Sequence, residues 1–327
     1  MNRFFHLTLG LFTLITISRG AEVPTYVQGA NTVEIVWDVP SNRWPAKVWI
    51  YRIAPHHFAG PVISNLMTLG AFSQADATRL PGHSHLKGER IQYYADKERT
   101  RELGIFPSLG WVSFKDGKAK AAAKGRALGV PTDEDAFQLA QDWLKKLGID
   151  RSQLATKSGS SDLRIYREKR THGWMDKPTG TNVSEVILRG VFFVRRVDGI
   201  DFNGIGPLGG VCFNFGNHGK VAELEIVWKG LEPFELHNTL TADQLMETVR
   251  SGRVKWIPSH PQKTEIKKIT ITDVTLLYRG VGGEDEEKYI TPYARLAASV
   301  DCGSTNVLAN IECAIIATLE PMANRKE

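Results

Sequence analysis

The chain has 327 residues, with 41 Lys+Arg against 36 Asp+Glu, 42% hydrophobic and 24% charged. These proportions are those of an ordinary soluble protein, and they exclude wholesale disorder, a collagen-like repeat and a multi-span membrane protein. They select no activity.

The N-terminus reads as an export signal. Arg3 supplies a positive start, Phe4 to Ile17 form a mostly apolar run, and Ser18 and Gly20 put small residues at −3 and −1 of a cut before Ala21. The run falls short of the roughly 20 residues a membrane helix needs, and no Cys follows it to carry a lipid. A retained signal-anchor is the alternative reading. Loss of residues 1–20 leaves 39 basic against 36 acidic residues, a charge of +3. The expectation is a secreted or periplasmic chain with no stable membrane span after cleavage. Its densest basic run, Lys115 to Arg126, is rich in Gly and Ala and precedes a helix start, so no nucleic-acid partner is expected.

Between residues 21 and 125 the spacing predicts an N-terminal α+β region. Val33–Trp37, Val48–Ile53, Ile91–Tyr94 and Gly110–Phe114 concentrate β-branched and aromatic residues and read as strands. Pro61–Phe72 carries Ile63, Leu66 and Met67 at helical spacing, with Gly70 weakening its end.

Residues 126–235 form a central unit with the clearest local signal. Thr132 is an N-cap, Asp133, Glu134 and Asp135 sit over the positive helix end, and Ala136, Ala140, Trp143, Leu144 and Leu147 recur at helical spacing before Gly148. A helix over 133–147 follows. Strands are expected at Leu163–Arg167, Val186–Val197, Val211–Phe215 and Val221–Trp228, with Gly216-Asn217-His218-Gly219 as a hairpin turn. In the last of these, Ala222, Leu224, Ile226 and Trp228 alternate with Glu223 and Glu225, as in a sheet covered on one face.

Residues 236–322 repeat that order, and 323–327 are a tail. Thr241 with Gln244 makes a capping box that opens a helix to Gly252, and Lys267–Tyr278, Tyr289–Val300 and Val307–Leu319 read as strands. Cys302 and Cys313 lie on two arms of a hairpin, and a tight turn would part them by roughly 20 Å at strand rise, against the limit of about 7 Å for a disulfide. They pair only if the loop is longer and irregular. Cys212 reads as a small packed residue.

No motif carries chemistry firmly. Gly204 to Gly209 spells G-x-G-x-x-G but leads into a strand rather than a helix, which removes the phosphate-binding geometry. His56, His57, His83 and His85 could converge on Zn²⁺, with exposed loop histidines as the plainer reading. Gly282 to Glu287 lacks the alternate spacing of a calcium loop, and Ser158 to Ser161 has linker composition. Trp174 would serve a glycan-binding surface if exposed beside a second aromatic.

The stretch Val197-Asp198-Gly199-Ile200, then Val211 to Phe215, the turn at 216–219 and Lys220 to Trp228 resembles the repeated strand pattern of PepSY-like domains, and the helix opened by Thr132 resembles the one preceding those strands. Asp201 departs from that pattern. The resemblance implies α+β architecture, with tandem units of one helix packed on a curved antiparallel sheet, cystatin-like, and no catalytic residues; no metal or cofactor is expected. The leading expectation is therefore a non-enzymatic binding or regulatory protein with a protein or peptide partner in the cell envelope. An exported metal-dependent hydrolase using the four histidines and a glycan-binding module are the alternatives.

Overall fold

The computed structural model describes residues 33–39, 44–78, 91–120, 127–157, 160–176, 178–203, 209–257, 266–279, 288–303 and 306–317. Among them the chain is mixed α+β, with three α-helices set among strands that form curled, mainly antiparallel sheets. In chain order the elements are β1 (Glu34–Trp37), β2 (Lys47–Ala54), α1 (Gly60–Gly70), β3 (Gln92–Ala95), β4 (Arg101–Phe106), β5 (Trp111–Asp116) and α2 (Asp133–Lys146). Then follow β6 (Ile165–Asp176), β7 (Thr181–Val194), β8 (Arg196–Val197), β9 (Ile200–Asn203), β10 (Gly210–Phe215), β11 (Val221–Val227) and β12 (Gly230–Asn238). The chain closes with α3 (Ala242–Arg250), β13 (Lys255–Ile257), β14 (Lys268–Arg279), β15 (Tyr289–Ile290), β16 (Pro292–Asp301) and β17 (Asn306–Ala314).

Two compact units are formed. The larger comprises Trp49–Leu236 and Leu277–Thr291, the smaller Met1–Val48, His237–Leu276 and Pro292–Glu327. Compactness thus groups the chain differently from the consecutive regions 21–125, 126–235 and 236–322. The strands of the first region join those of the second because β5 offers an open edge that β11 closes, from Trp111↔Val227 to Lys115↔Glu223.

The larger unit is organised by one sheet in the order β3-β4-β5-β11-β10-β7-β6. Helices α1 and α2 both pack on one of its faces, in a core that joins Leu66, Ala136, Ala140 and Leu144 to Phe193, Phe213, Leu224 and Ile226. Helix α2 forms where the caps dictate: the Thr132 hydroxyl accepts from the Asp135 amide, an interaction that stabilises a helix by about 1 kcal/mol, and Gly148 takes the left-handed conformation at φ +66°. Its first turn is tied down by Arg189 to Asp133 at 2.8 Å and Arg167 to Glu134 at 3.2 Å. Helix α1 ends at Gly70, where its end is expected to weaken. Ala71, not Gly70, adopts the left-handed cap; Gly70 is required because a Cβ there would lie 2.2 Å from the Phe72 ring.

Elsewhere in this unit, β8 and β9 form a tight hairpin turned by Asp198 (φ 49°) and Gly199 (φ 75°), the left-handed pair that suits the twist of a two-residue loop. The turn expected at 216–219 closes β10 onto β11 with His218 and Gly219 both at positive φ.

In the smaller unit β17, β16 and β14 lie side by side, β13 flanks β17, and β1 runs parallel to β14 from Glu34↔Lys268 to Trp37↔Ile271. Helix α3 lies against β1 and β17, opened by the expected capping box between Thr241 and Gln244. Glu312 on β17 does not face solvent. It is buried, and Arg295 from the neighbouring strand reaches it at 2.7 Å. Cys302 and Cys313 are both free and buried; Cys313 sits opposite Ala294, while Cys302 follows Asp301, whose partner is Asn306.

Candidate protein-interaction site

The distinctive surface of the larger unit is the outer end of its sheet. Strands β6 and β7 pair over all twelve residues of β6, whereas β10 covers β7 only from Arg189 to Val194. Residues 170–176 and 181–188 therefore extend past β10 as a two-stranded arm. Strand β6 is also the last in the sheet order. Past Ile165, no strand among the described residues meets the backbone groups on its outer side. A row of unpaired N–H and C=O groups is a ready template for another strand.

The side chains on this arm are mixed. Met175 is 63% and Tyr166 37% exposed. Trp174 is half-buried, stacked on His172 with centroids 5.9 Å apart. The open aromatic pair that a glycan-binding surface needs is not formed by Trp174 with another Trp, Tyr or Phe among the described residues.

Behind the arm, on the sheet face opposite α1 and α2, lies a row of polar residues. Glu223 accepts from Lys120 at 2.5 Å and Asn214 at 2.9 Å and pairs with Arg170 at 3.4 Å, and Arg170 also meets Glu168. Burial works to raise the Glu223 pKa, but Lys120 and Arg170 outweigh it and the net shift is downward. Two residues on, Glu225 is pushed the other way by burial, and Trp111 Nε1 donates to it at 3.2 Å. Oppositely shifted carboxyls are an acid and base pattern. Here, however, Glu223 is held by donors from three segments, Lys120 after β5, Asn214 on β10 and Arg170 on β6, an arrangement that locks strands together. The alternation in β11 marked these glutamates as leaving the core, but their partners come from β5, β6, β10 and the turn after β5, which no local pattern reveals.

The histidine expectation divides. His83 and His85 lie outside the described residues. His57 is exposed, while His56 is half-buried edge-on against Phe58 at 4.7 Å. Burial, then the charges of Arg195 and His57, lower the His56 pKa. A neutral imidazole can ligate metal, but here a cation would face the Arg195 guanidinium. Among the described residues no group of three or more His, Cys, Asp and Glu is placed to hold a metal. Burial drives Cys212 up to about 12, away from the thiolate a nucleophile requires. Residues 204–208 of the glycine run, 158–159 of the Ser-rich stretch, 121–126 of the basic run, the acidic stretch 282–287, the leader 1–20 and the tail 323–327 also lie outside the described residues.

No protein-family model matches the chain, and no curated protein matches it. Among solved structures, an uncharacterized protein from Eubacterium rectale ATCC 33656 superposes with a TM-score of 0.46 at 11% identity, over 86% of this chain and 88% of that one. The Bacillus megaterium YpeB C-terminal domain superposes with a TM-score of 0.33 at 10% identity, over 80% of this chain and 100% of that one. No helix among the described residues is long and apolar enough to cross a membrane.

Proposed function

We propose that the chain is an exported, non-enzymatic binding protein built from helix-on-sheet units of the PepSY-like, cystatin-like kind, with a protein partner in the cell envelope that adds a strand to β6. The observation that carries this reading is the outer edge of β6, twelve residues long and meeting no strand among the described residues past Ile165. That is about twice the usual strand length. Main-chain hydrogen bonds along such an edge supply affinity, and the alternating side chains supply selectivity. Export rests on Arg3, the apolar run Phe4 to Ile17 and the small residues before Ala21. The unit assignment draws support from the order of a capped helix followed by strands, at α2 and again at α3.

Photo-crosslinking tests the binding surface. A photo-reactive residue replacing Lys169 on β6 is expected to form a covalent adduct with an envelope protein. The same residue replacing Leu308, 84% exposed on β17, is expected to form none. Equal adducts at both positions, or none at Lys169, would overturn the reading. N-terminal sequencing of the exported protein should start at Ala21.

A further inference from the structure

The edge of β6 is self-complementary in one register. Along this strand Tyr166, Glu168, Arg170, His172, Trp174 and Asp176 share one face, and the odd-numbered residues Ile165 to Met175 share the other. The register shift between β6 and β7 leaves this alternation intact, because Arg170↔Leu188 and Thr171↔Val186 place the extra residue, Ile187, on β7.

We propose that the strand added to β6 is the β6 of a second copy of this chain, antiparallel, with Arg170 on the two-fold axis. The proposal rests on β6 being the recognition edge, and it names the occupant. A two-fold axis perpendicular to the sheet keeps each side chain on its own face, so an axial residue must lie at the centre of the pairing. With Arg170 there, Tyr166 lies opposite Trp174 of the second copy, Ile165 opposite Met175, and Glu168 opposite His172. Each pair occurs twice by symmetry. Exposed apolar side chains thus meet apolar ones, and a carboxylate meets an imidazole, the kinds of cross-strand pairs that stabilise sheets.

The neighbouring registers do worse. Centring on Lys169 sets Tyr166 against His172, Ile165 against Gly173, and two lysines face to face. Centring on Thr171 sets Tyr166 against Asp176 and Glu168 against Trp174. The axial Arg170 pair would repel, but each guanidinium already has Glu168 at 3.2 Å and Glu223 at 3.4 Å.

Single-cysteine variants of the full chain read the register directly. The native thiols serve as the background, since wild type has its free cysteines buried or half-buried. Wild type should sediment as a concentration-dependent dimer. Under mild oxidation Arg170→Cys should give a disulfide-linked dimer, while Lys169→Cys and Thr171→Cys lose it. Should Arg170→Cys fail to fold by circular dichroism, mixing Tyr166→Cys chains with Trp174→Cys chains should give the linked heterodimer instead. Linkage at Lys169→Cys or Thr171→Cys in place of Arg170→Cys overturns the register. A wild type that stays monomeric, with no linkage at any position, overturns the second copy as occupant. In that outcome an adduct between Lys169 and a different envelope protein would still uphold β6 as a recognition edge, so the two failures are distinguishable.

Discussion

The guanidinium of Arg195 lies 4.6 Å from the ring centroid of Trp228 and 5.5 Å from that of Phe202, and its Nη1 donates to the Lys229 carbonyl at 2.7 Å. Only 8% exposed, it has no carboxylate within salt-bridge distance among the described residues. Two aromatic faces and one carbonyl therefore hold a buried charge, and burial brings its pKa down to about 10. Replacing it by Leu removes contacts of about 2 kcal/mol or more when desolvated and removes a charged donor from the Lys229 carbonyl. Arg195→Leu should lower stability by about 2–4 kcal/mol. Arg195→Lys should recover only part, since an ammonium lacks the planar stack. Urea unfolding of the three chains checks this; a wild-type midpoint for Arg195→Leu would refute it.

The buried pair in the smaller unit makes the opposite kind of prediction. Removing Arg295 leaves Glu312 buried without its guanidinium, and Arg295→Met should destabilise by about 3–5 kcal/mol. The double variant Arg295→Met, Glu312→Leu should return most of that loss, because two apolar residues leave no stranded charge. Equal loss in the single and double variants would show that the pair contributes through packing alone.

Acid sensitivity should centre on Asp96. Burial works to raise its pKa, but the Thr100 hydroxyl, the Arg101 and Thr100 amides and the Arg101 side chain outweigh it and hold the carboxyl at about 2. The folded value lies below the ordinary 3.8. Its contribution is therefore complete above pH 3.8 and is lost as pH falls from there through about 2. Asp96→Asn should flatten the stability profile in that window and leave the neutral arm parallel. An unchanged acid slope would refute the assignment.

Thiol labelling should separate the folded from the unfolded chain. Burial first, then nearby glutamates, push Cys212 and Cys313 up to about 12. At pH 8 the thiolate is then on the order of 0.01% of either group, and the thiolate is the reactive form. Both should resist iodoacetamide in the native protein and react within minutes in denaturant, as mass spectrometry of the peptides would show. Rapid native labelling of Cys313 would contradict its burial.

Local signals carried the helices of this fold, and tertiary partners decided what stayed hidden. Thr132 and Thr241 announced α2 and α3 because caps are satisfied within one turn of chain. The alternation Ala222, Leu224, Ile226, Trp228 announced β11. Strand β4 was missed because Gly104 reads as a breaker, yet a Cβ there would lie 2.7 Å from the Phe106 ring. Strand β6 was expected to stop near Arg167 and runs on to Asp176, since Lys169, His172 and Gly173 carry little strand preference and are held by β7. The burial of Glu312 depends on Arg295, a residue seventeen positions away on another strand. At the candidate site, Trp174, which a glycan-binding surface would need exposed, is half-buried, whereas the open edge beside it is a property of sheet order that no single segment encodes.

The parallel pairing of β1 with β14 has a consequence for how the protein is made. Lys268 contacts Glu34 across 234 positions of sequence. At the usual pace of roughly 5–20 residues per second, Glu34–Trp37 must wait on the order of 10–50 s after synthesis for the strand that receives it. The stretch Trp49–Leu236 emerges meanwhile and can settle its own core. The smaller unit is completed last, from ends that the ribosome releases far apart in time. An apolar N-terminal strand left waiting is a hazard, and a chaperone that holds it until residue 271 has emerged should raise the yield of native protein more than one acting on the finished chain.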